Sequence, residues 1–206
     1  MKNKLWLACF VLVFAFKTQA QTTRTTAHKI KIGFGGGVAV PHNNLRERAG
    51  ALTYIEPTYD LTDVVTVGLR AEWLIFAKFG LDDGKSYERI FRGSYTLIGK
   101  YYLGTGKTRV FVGAGLGLYA LSPVRYNKPG EKNPNLFSGG TSLTAAETKV
   151  GFCPRIGIDF FDRFSLSVDY NFIPSSKVIE PGNEARVANS YLGLHLGALC
   201  FVGKQN

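Results

Sequence analysis

Residues 64–77 read VVTVGLRAEWLIFA, and the pattern of this stretch indicates the fold class of the whole chain. Its apolar side chains recur at every second position, which is the period of a β-strand and not that of a helix. One face of the predicted strand carries Val65, Val67, Leu69, Ala71, Trp73 and Ile75, and the other carries Thr66, Gly68, Arg70 and Glu72. A strand with one apolar and one charged face must lie between two different environments.

The same alternation occurs in seven other stretches, so the sequence predicts eight strands. They cover residues 29–40, 51–61, 64–77, 90–103, 109–121, 149–160, 164–173 and 187–202. Pro57 and Pro154 fall inside two of them, and because proline has no N–H they predict bulges or local losses of a ladder hydrogen bond. After residue 20 no apolar run approaches the length of about 20 residues that a transmembrane helix needs.

The connections between the predicted strands alternate in length. Three are short (residues 62–63, 104–108 and 161–163), and four are long (residues 41–50, 78–89, 122–148 and 174–186). Outer-membrane barrels have short periplasmic turns and long external loops, and an even number of strands keeps both ends of the chain on the periplasmic side. The sequence therefore predicts an all-β fold, an eight-stranded antiparallel up-and-down transmembrane β-barrel.

The direction of the two faces separates a membrane barrel from a soluble one. A soluble barrel such as a lipocalin turns its apolar face inward, whereas a membrane barrel turns that face outward around a polar interior. Because the second face carries charges of both signs, only the membrane arrangement gives those charges a lumen to occupy. Aromatic residues near the strand ends on the apolar face fit interfacial girdles: Tyr59, Phe91, Tyr101, Phe160, Phe164 and Phe172. A soluble ligand-binding barrel is the alternative.

The first residues have the pattern of a cleaved secretory signal peptide. A basic start is followed by an apolar run, and Thr18 and Ala20 supply small side chains before a cleavage site. We assign residues 1–20 to the signal peptide, 21–28 to a short spacer, 29–202 to the barrel and 203–206 to a periplasmic tail. Loss of Lys2, Lys4 and Lys17 with the signal lowers the formal net charge from +10 to +7. The remaining basic residues form no continuous stripe, so we expect no nucleic-acid partner.

Four stretches resemble the small outer-membrane β-barrels of Gram-negative bacteria, in particular the OmpA/OmpW-like barrels of Bacteroidota. They are KIGFGGGVAV (31–40), YDLTDVVTVGLRAEW (59–73), KYYLGTGKTRVFVGAGLGLY (100–119) and RIGIDFFDRFSLSVDYNFIP (155–174). The resemblance implies the outer membrane as the location, and outer-membrane lipid, lipopolysaccharide and the barrel-assembly machinery as partners. Such barrels often end on an aromatic residue; Phe201 falls on the inner face by parity, which implies a bulge or an altered end. We expect no peptidoglycan-binding domain after the barrel.

Charged residues of both signs share the predicted inner face: Glu56, Arg70, Glu72, Arg92, Lys100, Lys149, Arg155, Asp159 and Asp169. The interior of an eight-stranded barrel is only wide enough for its own side chains, and an unpaired buried charge is strongly destabilising. We therefore expect a structural network of ion pairs that fills the lumen, with a gated path for protons or ions as the alternative. Gly113, Gly115 and Gly117 would leave room for long cationic side chains across the lumen.

The sequence predicts no catalytic, metal or cofactor site. Barrel enzymes that modify lipids need a histidine close to a serine or an acid, and His28, His42 and His195 show no such partner along the sequence. No Cys, His and Asp residues have the spacing of metal ligands. Cys153 falls on the inner face and Cys200 on the outer face, so we expect no disulfide bond between them.

The longest connection, residues 122–148, is the best candidate for an external contact, with a solvated loop as the simpler interpretation. Its basic and aromatic side chains are Arg125, Tyr126, Lys128, Lys132 and Phe137. The sequence thus predicts a non-enzymatic barrel with a structural or binding role in the cell envelope and with its external loops as the interaction surface. A channel for small solutes or hydrophobic compounds is the first alternative, and a lipid-modifying enzyme is the second.

Overall fold

Eight long antiparallel strands form a closed barrel in the computed structural model of the chain. The structure describes residues 30–42, 49–76, 86–88, 91–104, 106–123, 125–127, 141–142, 144–180 and 183–202. In chain order the strands are β1 (Ile30–Pro41), β2 (Gly50–Asp60), β3 (Val65–Phe76), β4 (Ser86–Glu88), β5 (Phe91–Tyr102), β6 (Arg109–Leu121), β7 (Arg125–Asn127), β8 (Thr141–Ser142), β9 (Glu147–Phe160), β10 (Phe164–Asn171), β11 (Ser176–Glu180), β12 (Asn183–Val187) and β13 (Tyr191–Val202).

The barrel consists of β1, β2, β3, β5, β6, β9, β10 and β13, and consecutive barrel strands are hydrogen-bonded neighbours. Pairing of β1 with β13, from Ile30↔Val202 to Pro41↔Tyr191, closes the sheet. The predicted eight-stranded antiparallel up-and-down topology is therefore confirmed. The predicted signal peptide, spacer and tail (residues 1–28 and 203–206) lie outside the described residues.

The start of the last barrel strand is predicted wrongly. Alternation in the sequence predicts that it begins at residue 187, but β13 begins at Tyr191. Val187 instead ends β12 and pairs with Ser176 of β11 in a hairpin, where its side chain is buried. Alternation does not distinguish the apolar end of β12 from the start of the next strand, so it cannot show where the chain reverses direction. The other barrel strands begin and end within two residues of the predicted positions.

Both prolines inside strands interrupt the ladder without shifting its register. The pairing of β2 with β3 skips Glu56 and Pro57 and resumes in the same register, from Ile55↔Ala71 to Thr58↔Gly68. Likewise, the pairing of β9 with β10 lapses beside Pro154 and resumes at the bridge between Phe152 and Phe172. The predicted local loss of pairing is confirmed, and these described strands show no bulge at either proline.

The burial pattern is the reverse of that of a soluble protein. On the outer face Leu69 and Leu97 are 61% and 62% exposed, whereas on the inner face Arg70 and Glu72 are only 4% and 3% exposed. The predicted aromatic residues Tyr59, Phe91, Tyr101, Phe164 and Phe172 are exposed on the outer face. An apolar outer surface around a charged interior is the arrangement of a membrane-spanning barrel. Among the described residues, no helix is long and apolar enough to cross a membrane.

The two ends of the barrel differ in their connections. At the turn end, residues 61–64, 103–108 and 161–163 join the strands, and the first and last barrel residues pair. Here Phe161 and Asp162 adopt left-handed backbone conformations, with φ of 52° and 58°. At the loop end, the long connections include two small sheets, one formed by β4, β7 and β8 and the other by β11 and β12.

Candidate functional site

The charged interior of the barrel is the candidate functional site. Because alternate side chains of each strand point inward, several strands contribute charged groups to the same space. We call the central set the luminal network, and it consists of Glu56, Arg70, Glu72, Lys100, Arg155, Asp169 and His195. Each of these side chains is less than a tenth exposed. All except His195 belong to the predicted set of inner-face charges.

Glu56 of β2 is the hub of this network. Its carboxylate accepts a hydrogen bond from the Lys100 ammonium on β5 and another, of 2.6 Å, from Nη1 of Arg155 on β9. Nε of Arg70 lies 3.8 Å from the same carboxylate. One acidic side chain therefore faces three cations from three other strands, and the contacts cross the lumen.

A second group of contacts lies next to this hub, toward the loop end. Arg70 donates a hydrogen bond of 2.9 Å to Asp169, and its Nη2 lies 3.3 Å from Glu72. Nε2 of His195 lies 2.9 Å from Glu72, which also accepts a hydrogen bond of 2.7 Å from the Tyr191 hydroxyl. These bonds satisfy the carboxylates from several sides and connect β3, β10 and β13.

The luminal network is balanced in formal charge when His195 is neutral. Three carboxylates (Glu56, Glu72 and Asp169) face three basic side chains (Arg70, Lys100 and Arg155). Removal of one partner from a buried ion pair leaves an uncompensated charge, which costs about 3–5 kcal/mol. The network is therefore interdependent.

At the turn end, further polar contacts involve three residues outside the predicted set of inner-face charges. Nζ of Lys31 lies 2.6 Å from Asp60, which also accepts a hydrogen bond of 2.7 Å from Thr66. The predicted Asp159 accepts a hydrogen bond of 2.7 Å from the Tyr102 hydroxyl, and the guanidinium of Arg109 lies over the Tyr102 ring at 4.1 Å. The alternation that places Glu56 on the inner face also places Lys31, Asp60 and Arg109 there, so the sequence could have identified these three residues.

At the loop end, the interior holds a cluster of buried apolar and aromatic side chains, which we call the apolar layer. It consists of Ala39, Leu52, Tyr54, Leu74, Tyr119, Leu121, Ile173 and Tyr191. The predicted inner residue Arg92 lies at this end, where it donates a hydrogen bond of 2.9 Å to the carbonyl of Asn189. The apolar layer thus separates the luminal network from the long connections.

Lys149 is a correction to the predicted set. Its parity is inward, but its side chain is 17% exposed and contacts Glu147 at 3.3 Å on its own strand. It also donates a hydrogen bond of 2.6 Å to the carbonyl of Ser175 in the connection that follows β10. Lys149 lies near the loop end of β9, where it contacts the connection after β10, and it does not join the luminal network.

The inner glycines provide space, and at Gly113 the register agrees with the prediction, because Lys100 and Arg155 lie directly opposite it on the two neighbouring strands. A Cβ at Gly115 would lie 2.7 Å from Sγ of Cys153, so this glycine makes room for a cysteine and not for a long cation. At Gly193 a Cβ would lie 2.5 Å from the His195 ring, and at Gly197 it would lie 2.1 Å from the Tyr54 hydroxyl. Glycine is therefore required where large inner side chains lie against the wall.

His195 has neighbours that the linear sequence conceals. Ser167 is directly opposite His195 in the register of β10 with β13, and Nδ1 of His195 lies 3.5 Å from Asp169. However, the Ser167 hydroxyl accepts two hydrogen bonds from Arg155, and His195 is fully buried. The three side chains resemble a catalytic set in composition, and all three are buried.

The remaining predicted features are located as follows. Cys153 is buried and Cys200 is exposed, and both are free thiols, as predicted. Of the two alternatives at Phe201, a bulge or an altered end, the structure excludes the bulge: β13 pairs with β1 in one register, and the Phe201 ring stays on the inner side, 5.9 Å from Lys31. No group of three potential metal ligands occurs in the described part of the chain.

The predicted external contact residues are only partly described. Arg125 and Tyr126 belong to β7, whose backbone pairs with β4 and β8. Lys128, Lys132 and Phe137 lie outside the described residues. The sequence pattern does not predict the hairpin of β11 and β12, where Lys177 and Arg186 are exposed directly opposite each other.

Comparison with solved structures agrees with this architecture. Neisserial surface protein A (NspA) is similar with a TM-score of 0.53 and 15% sequence identity, over 82% of this chain and 95% of that one. The outer membrane protein OprG from Pseudomonas aeruginosa is similar with a TM-score of 0.51 and 14% identity, over 85% of this chain and 97% of that one. No protein-family model and no curated protein matches the chain. In its fold, this chain therefore belongs with the small eight-stranded outer-membrane β-barrels.

Proposed function

We propose that this protein is a non-enzymatic, non-conducting barrel of the Gram-negative outer membrane whose loop end faces outward and serves as the interaction surface. The observation that carries this proposal is the closed lumen. The luminal network crosses the interior at Glu56, and the apolar layer covers it toward the loop end. On this proposal, the barrel anchors and orients its external connections.

Two physical barriers in series oppose conduction. An ion that enters from the turn end must separate paired charges around Glu56, which leaves the partners uncompensated in a medium of low dielectric constant. It must then pass side chains such as Leu52 and Leu74, which offer it no polar contact. Because eight strands leave a bore that side chains alone can fill, neither barrier can be bypassed.

The loop end offers a specific feature for an anionic partner. Lys177 and Arg186 are exposed cross-strand neighbours in the hairpin of β11 and β12. Like charges directly opposite each other destabilise a strand pair, so an anion that bridges them would stabilise the hairpin. Phosphates of lipopolysaccharide in the surrounding leaflet supply such anions, and we propose lipopolysaccharide as a partner of this surface.

Conductance in planar lipid bilayers tests the closed lumen. We expect no current steps from the wild-type barrel at moderate voltage. Removal of the hub with Glu56→Gln should produce intermittent openings, whereas Lys107→Gln at an exposed position of a turn should leave the membrane silent. Regular current steps from the wild-type protein would refute the proposal and favour a channel.

Native mass spectrometry of the purified barrel tests the external surface. We expect the wild-type protein to retain lipopolysaccharide and the double variant K177Q/R186Q to retain less. The matched control K107Q/R163Q removes two exposed charges at the turn end and should retain as much as the wild type. Equal retention by all three proteins would contradict the role of the hairpin.

Transport of hydrophobic compounds is the second candidate, and one observation bears on it. A depression of about 410 Å³ lies on the outer surface, lined in part by Val65, Tyr101 and Val112 above Gly99. The strands around it pair without a gap, as at Val67↔Gly99 and Gly99↔Ala114. The depression is therefore open to lipid and not to the lumen, which disfavours a lateral passage between these strands.

A further inference from the structure

We propose that the lumen holds a binding site for an ordered water molecule near the turn end. Three side chains define it: Arg109 of β6, Asp159 of β9 and Ser165 of β10. Each is more than nine-tenths buried. Each also has one polar atom (Nε of Arg109, Oδ1 of Asp159 and Oγ of Ser165) without a hydrogen-bond partner among the described residues. Buried polar atoms are nearly always satisfied by protein or by water, so three orphaned atoms together indicate a shared partner.

The strand register places these three groups side by side. Arg109 is directly opposite Asp159, and Asp159 is directly opposite Ser165. The row continues to Gly197 of β13, which has no side chain and against which the Tyr54 hydroxyl lies. Facing residues of neighbouring strands are about 5 Å apart at Cβ. The register therefore places the three side chains in one row on the inner face, and on this proposal one small molecule lies between their orphaned atoms.

The chemistry of the orphaned atoms fits water and disfavours an ion. Nε of Arg109 can only donate, Oδ1 of Asp159 can only accept, and the Ser165 hydroxyl can do either. The charges of the first two cancel, so a cation would be repelled by the guanidinium and an anion by the carboxylate. Water needs two to four polar partners in a buried site, and this row supplies three.

The partners of this site are already held in position. The other oxygen of Asp159 accepts a hydrogen bond of 2.7 Å from the Tyr102 hydroxyl. The guanidinium of Arg109 lies over the Tyr102 ring at 4.1 Å. Both groups are thus oriented by Tyr102, while the atoms assigned to water have no competing protein contact in the described structure.

NMR of the folded barrel labelled with 15N-arginine provides the first test. A long-lived bound water gives a cross-peak between water and the Hε proton of Arg109, with the sign of a slowly tumbling complex. Hε of Arg155 is the matched control, because it is bonded to Ser167 and should show no such peak. Absence of the Arg109 peak, or an equal peak at both arginines, would overturn the proposal.

The sign of a stability change provides the second test. If water bridges the row, Ser165→Ala removes one of its partners, and the urea midpoint of unfolding should fall. If the site is dry, the same change removes an unsatisfied buried hydroxyl, and the midpoint should rise. Ser167→Ala, which removes the acceptor of Arg155, should lower the midpoint in either case and shows that the assay responds. A higher midpoint for Ser165→Ala refutes the site.

Discussion

The hub of the luminal network offers the most direct test of how the barrel is stabilised. Replacement of Glu56 by glutamine keeps the shape of the side chain and removes its charge. Lys100, Arg155 and Arg70 then face two remaining carboxylates, so one buried positive charge is uncompensated. Breaking a buried pair in this way costs about 3–5 kcal/mol, which is a large share of the 5–15 kcal/mol that is typical of a folded domain, to order of magnitude.

Unfolding in urea, followed by tryptophan fluorescence in lipid vesicles, measures this loss. Trp73 is the only tryptophan after residue 20 and lies on the lipid-facing side of β3, so its emission reports insertion directly. We expect Glu56→Gln to lower the free energy of unfolding by about 3–5 kcal/mol. The control Lys107→Gln removes a charge at an exposed position and should change it by about 0.5 kcal/mol or less.

A second variant separates charge balance from general damage to the interior. Glu56→Gln combined with Arg155→Gln removes one charge of each sign, so the network is neutral again. Residues in one network are coupled by roughly 0.5–3 kcal/mol, and we expect the double variant to lose less stability than the sum of the two single variants. Strict additivity, or a loss below about 1 kcal/mol for Glu56→Gln alone, would refute the account of the hub.

Two further changes test the barrel wall and one of its turns. Gly197→Ala should destabilise the barrel by about 1–3 kcal/mol, as overpacking does, because the new Cβ would lie 2.1 Å from the Tyr54 hydroxyl. Gly99→Ala is the matched control, since a Cβ there meets nothing within 4 Å. Equal urea midpoints for the two variants would contradict this explanation. Phe161→Gly should raise the free energy of unfolding by about 0.4–1 kcal/mol, because residue 161 has a φ of 52° in a hairpin turn, where glycine is favoured. A lower thermal midpoint in vesicles would contradict this expectation and show that the exposed Phe161 ring contributes more than the backbone conformation costs.

Alternation alone was sufficient to predict which residues face the lumen. The positions of Glu56, Arg70 and Glu72 follow from a period of two, since a shift by one residue would place charges in lipid. Alternation does not predict how far along its strand, and so how deep in the membrane, a residue lies. Lys149 has the correct parity, yet it lies at the rim, because the position at which a strand leaves the membrane depends on the tilt and stagger of the whole barrel.

Contacts between strands were the part that the sequence could not supply. The proximity of Ser167 to His195 depends on the register of β10 with β13, which is set by hydrogen bonds along two complete strands. Likewise, the sequence predicts a connection over residues 174–186 and a barrel strand from Val187, whereas Val187 pairs with Ser176 in the hairpin of β11 and β12. A single sequence without pairing information predicts which face of a strand a residue lies on, but it does not predict which residues of other strands that residue contacts.

The two ladder interruptions have a consequence for how the barrel comes apart. Pro57 follows Glu56, and Pro154 precedes Arg155, so the two weakest places in the backbone pairing lie beside the two residues that join across the lumen at 2.6 Å. The Glu56–Arg155 contact therefore joins two parts of the barrel wall at which the backbone pairing is interrupted. Loss of the Glu56–Arg155 contact should speed amide hydrogen exchange first beside these prolines, at Leu69 of β3 and Tyr170 of β10.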